Sequence, residues 1–86
     1  MATVYLVPAG TDSAPGAASG DYLLRPSGDD LYDVGQQGTT CTWLGSVAAS
    51  LLPSLPAVDA PQEAPDQTAL LTAVTGVHAA EHHRGG

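Results

Sequence analysis

Apolar and polar positions along this chain change their period once, from strand-like to helix-like. Thr3-Val4-Tyr5-Leu6-Val7 is β-branched and aromatic and stops at Pro8, which predicts a short strand. Asp21-Tyr22-Leu23-Leu24-Arg25, closed by Pro26, predicts a second, and Leu31-Tyr32-Asp33-Val34 a third. Ser27-Gly28-Asp29-Asp30 between them has turn chemistry, so the second and third strands are expected to pair as a hairpin. Gly35-Gln36-Gln37-Gly38 reads as a further turn. The period then lengthens. Trp43, Leu44, Val47, Ala48, Leu51 and Leu52 recur as one face of a helix, predicted over 43–52 and stopped by Pro53. Leu70, Leu71, Val74 and Val77 repeat the helical spacing, predicting a second helix from about Gln67 to His83 with Asp66 as its cap.

Two stretches carry neither period. Residues 8–20 are mostly Gly, Ala, Ser and Pro and read as a flexible loop or extended arm. Residues 53–65 hold four prolines and read as a stiff connector. The expected fold class is α+β: a small domain of two to three short strands with one packed helix, plus a C-terminal helix after a Pro-rich connector. The expected organisation is a small α+β domain at 1–52, a linker at 53–66, and the helix with a Gly-Gly tail at 67–86.

Charge narrows the function classes. The 86 residues include no lysine; Arg25 and Arg84 face nine Asp and Glu, for a formal net charge of −7. A nucleic-acid partner needs several cations on one face, and an anionic membrane surface attracts cations too, so neither is expected. No apolar stretch is long enough to span a bilayer and no secretory signal is apparent, which leads us to expect a soluble protein made in the cytoplasm. The single cysteine, Cys41, cannot form an internal disulfide. There is no Phe, one Trp and three Tyr, and many of the hydrophobic residues are Ala. A domain this small with so few large apolar groups is expected to gain stability by assembly.

Candidate chemistry is sparse. His78 and His82 share a helix face at metal-ligand spacing, but two ligands fall short of a site, and imidazoles at a helix end suit the dipole. Asp29, Asp30 and Asp33 lack the spacing of a calcium loop and read as a solvated hairpin turn. No metal or cofactor is expected. Cys41, placed just before the predicted helix, would there have a lowered thiol pKa. The run Gln37-Gly38-Thr39-Thr40-Cys41-Thr42-Trp43 resembles the Gln…Cys-Trp region of papain-like cysteine proteases. That resemblance implies a Cys41 nucleophile, with His78 as the base. The Gln-to-Cys spacing is shorter than in that family, and an extra residue separates Cys from Trp. Arg84-Gly85-Gly86 is similar to the diglycine tail of ubiquitin-like proteins and sulfur carriers, which implies a reactive Gly86 carboxylate.

The leading expectation is a non-enzymatic, small acidic structural or accessory subunit docking on a larger assembly, such as a viral particle or a bacterial multiprotein machine. Its partner is expected to be another protein or further copies of itself. The residues expected to meet it are Trp43, Leu44, Leu70, Leu71, Val74 and Val77. A diglycine carrier and a Cys41 enzyme are the alternatives.

Overall fold

A computed structural model describes residues 2–84, with side chains through Ala80. The protein is α+β, a five-stranded mixed sheet with one helix. The strands are β1 (Val4–Leu6), β2 (Tyr22–Pro26), β3 (Leu31–Gln37), β4 (Cys41–Ala48) and β5 (Gln62–Glu63), and the helix is α1 (Gln67–Arg84). Their order across the sheet is β4-β3-β2-β1-β5. β1 and β2 run parallel, and every other neighbouring pair is antiparallel.

The hairpin of β2 and β3 turns at Ser27-Gly28-Asp29-Asp30, where Gly28 and Asp30 take left-handed backbone with φ of 69° and 57°. β3 continues through Gly35, Gln36 and Gln37, and the chain reverses only at residues 38–40. The expected turn at 35–38 is therefore corrected by three residues. Gly35 is needed within the strand, because Trp43 and Cys41 of β4 lie directly against it.

The helix expected over 43–52 is a strand, β4, followed by a single 3₁₀ turn at Ala49–Leu51. A β-bulge explains the misleading period. Val34 pairs with Gly45 and Gly35 with Trp43, so Leu44 is the extra residue. One inserted residue exchanges the faces of a strand. Cys41 and Trp43 therefore lie on one side of the sheet, while Leu44 and Val47 lie on the other. Adjacent apolar residues followed by a gap look helical on paper, and here they mark the change of face.

Each face has its own cover. Val4, Leu6, Tyr22, Leu24 and Val34 project to one side and pack under Leu70 and Val74 of α1. Leu52, Leu55 and Val58 of the Pro-rich stretch join the same cluster. Leu23 and Val7 project to the other side and pack with Ala14, a buried residue of the 8–20 loop. Both low-period stretches thus serve as covers for the sheet, and α1 shares its core with residues expected to form a separate domain. Gly45 lets α1 approach β4, since a Cβ there would sit 3.2 Å from Val77 Cγ1.

Two polar side chains fasten the N-terminal strand. Asp21, only 8% exposed, accepts hydrogen bonds from Thr3 N–H through Oδ1 and from Ala18 N–H through Oδ2, both at 2.9 Å. Gln67, at the start of α1, acts as a mimic of the backbone. Its Oε1 accepts from Val4 N–H, and its Nε2 donates to the carbonyls of Val4 and Ala64, each at 2.8 Å.

Candidate interaction surface

The six residues expected to meet a partner divide into two groups. Leu70 and Val74 are fully buried beneath the chain's own sheet, so in this fold they belong to its core. Leu71, Val77 and Leu44 are half-buried at the margin of that core. Trp43 is half-buried on the opposite face, where the Arg25 guanidinium carbon lies 3.8 Å from its ring centroid. Arg25 is also held by Asp33 at 2.7 Å and by the Thr11 carbonyl at 3.2 Å. This cation is committed to the fold rather than offered to an anionic partner.

Cys41 lines a hollow of about 410 Å³ with Asp12, Ser13, Gln37, Thr40 and Trp43. Burial pushes its thiol pKa up; Arg25 pulls it down, and Asp12 adds to the rise. A strand has no helix N-terminus to favour a thiolate, so the lowered pKa expected at this position is corrected. His78 lies across the sheet, its Nδ1 3.0 Å from the hydroxyl of Tyr22 in the helix-side layer. The sheet therefore separates Cys41 from the base that the protease resemblance requires. Among the described residues no cluster of three His, Cys, Asp or Glu could hold a metal ion. No described helix is long and apolar enough to cross a membrane. Gly85 and Gly86 lie outside the described residues, and the chain reaches residue 84 from a helix rather than from a strand.

The two edges of the sheet differ sharply. β5 is two residues long, contains Glu63, and is flanked by Pro61 and Pro65. Shortness, charge and proline are the usual protections of an edge against pairing. β4 is eight residues long, carries no charged or proline residue, and among the described residues pairs only with β3. Its bulge is the one protective feature it has. Two large apolar side chains are exposed at the C-terminal end of this edge. Leu31, paired with Ala48, is 42% exposed, and Leu51 in the 3₁₀ turn is 75% exposed.

This surface leaves a mark in the sequence that periodicity does not detect. From Val34 to Val58 no residue carries a formal charge, although the chain has eleven Asp, Glu and Arg in its 86 residues. Five of the nine acids lie outside this run, Asp29 and Asp30 in the first hairpin turn and Asp59, Glu63 and Asp66 around β5, whereas Asp33 lies on β3 opposite Ser46 and is paired with Arg25. No protein-family model, no curated protein and no solved structure matches the chain.

Proposed function

We propose that this chain is a non-enzymatic, small acidic structural or accessory subunit that docks on a larger protein assembly. The observation that carries the reading is the segregation of charge. An eight-residue sheet edge and the exposed Leu51 occupy the uncharged run, while five of the nine acids lie in the first hairpin turn and around β5, and Asp33 beside β4 is paired with Arg25. An open edge supplies main-chain hydrogen bonds to an added strand, and the neighbouring apolar side chains supply buried area. The acidic remainder keeps the free subunit soluble. The hollow beside Cys41 does not favour an enzymatic reading, because burial disfavours the thiolate and His78, the histidine whose side chain is described, lies across the sheet.

The test is hydrodynamic. In a gentle extract of its native source, the chain is expected to elute in a species much larger than two copies of itself. Leu51→Glu, a change at an exposed position outside the core, is expected to shift it to the size of the isolated subunit. Elution of the unaltered protein at monomer or dimer size would contradict the proposal.

A further inference from the structure

We propose that β4 pairs with β4 of a second copy, antiparallel and about a two-fold axis, to make one continuous ten-stranded sheet. The inference rests on the docking reading above and names a first occupant of that edge. A two-fold interface brings the same patch of both copies together, so a patch with net charge faces the same net charge. For a chain with a net charge of −7, this requirement excludes most of the surface. β4 meets it, having no ionisable group other than the Cys41 thiol, which burial keeps protonated.

The flanks favour the same occupant. Antiparallel pairing sets the end of one β4 beside the beginning of the other. The exposed Leu51 that follows one strand then lies near Cys41 and Trp43, which begin the other. The β5 edge cannot substitute, since it offers two residues between prolines and carries Glu63. Asp33 of β3 pairs with Ser46 in the middle of β4, but its carboxylate is held by Arg25 at 2.7 Å. The other acids nearest the strand lie at its ends. Asp12 acts on the Cys41 thiol, and the Asp30 carbonyl accepts from Ala49 N–H. Two copies therefore repel through their ends and their overall charge while pairing through their middles. Screening over about 8–10 Å at ordinary ionic strength relieves that repulsion, so salt strengthens this dimer.

Sedimentation of the purified full chain, from about 10 µM to about 1 mM, tests the proposal across the range expected of a small interface. The unaltered protein is expected to pass from monomer to dimer, with a lower Kd in high salt than in low salt. Thr42→Glu, at an exposed position on the edge, is expected to raise Kd at least about tenfold, because it sets an unpaired carboxylate against the uncharged, apolar end of the other copy's edge. Leu51→Ser lies outside every strand, so it remains informative should Thr42→Glu not fold, and it too is expected to raise Kd. Asp59→Asn, near the other edge, is expected not to weaken the dimer. A monomer at every concentration and salt, or a dimer unmoved by both edge changes, overturns the pairing. A purified monomer that nevertheless enters a large species in the native extract removes the self-pairing alone. A monomer in both settings removes the docking reading as well.

Discussion

Gln67→Ala is expected to lower the unfolding free energy by about 2–4 kcal/mol, a loss large for a domain of this size. The side chain makes three hydrogen bonds of 2.8 Å, two to Val4 and one to Ala64. Val4 has no exposed surface, so truncation leaves its N–H without a protein partner. A buried donor so orphaned costs about 1–3 kcal/mol, and the lost bonds to the two carbonyls add to this. The Val4 carbonyl retains one bond, from Ala64 N–H, which limits the effect. Helix propensity cannot be the cause, because alanine favours helices at least as well as glutamine.

Gln67→Glu separates hydrogen bonding from packing. A glutamate keeps an acceptor for Val4 N–H but turns a second oxygen on two carbonyls. Only its protonated form can donate, so folding favours that form and raises the carboxyl pKa. The variant's stability is therefore greatest below the unfolded carboxyl value of about 4.3 and is lost as pH rises from there through the raised folded value. Urea unfolding followed by fluorescence of Trp43, the one tryptophan, measures both variants. A Gln67→Ala protein within about 0.5 kcal/mol of the parent, the usual range of inconsequential surface changes, would remove Gln67 from its assigned role.

Gly35→Ala is expected to cost about 2–3 kcal/mol despite the small change in volume. The new Cβ would lie 2.5 Å from Cys41 Sγ and 2.8 and 2.9 Å from two carbons of the Trp43 ring. The thiol can be trimmed, but the indole is a rigid plate in contact with Arg25, which is itself held by Asp33. Cys41→Ala in the Gly35→Ala background is therefore expected to recover part of the loss and no more. The fluorescence of Trp43 is expected to shift as the ring leaves the strand. Unchanged stability together with an unchanged spectrum would show that the ring does not rest on this glycine.

These two residues also show which features were legible in the sequence. A strand such as Tyr22-Leu23-Leu24-Arg25 declares itself as a short apolar run closed by Pro26, because its apolar residues are buried on both faces of the sheet. β4 does not, because the bulge at Leu44 reverses its parity midway and yields spacing that imitates a helix. Gln67 looks like an ordinary polar residue in a first helical turn. Its role depends on Val4, sixty-three positions away, and no local pattern carries that contact. The loop over 8–20 looks unattached because one residue, Ala14, supplies its buried contact, and alanine has little weight in any hydrophobic pattern. Of the residues singled out by apolar character, Trp43 and Leu44 lie on β4, half-buried. Leu70 and Val74 have the same character, but the sheet covers them. The open edge was indirectly visible as the absence of charge between Val34 and Val58.

Amide hydrogen exchange along Cys41–Ala48 in dilute solution tests the openness of β4 most directly. In an antiparallel edge strand, alternate N–H groups point toward the neighbouring strand and away from it. Slow exchange at the amides facing β3, fast exchange at those between them, and protection of the fast set as concentration rises is the predicted result. Slow exchange at every β4 amide in a dilute monomer would mean that the edge is already covered within the chain, and would contradict the account.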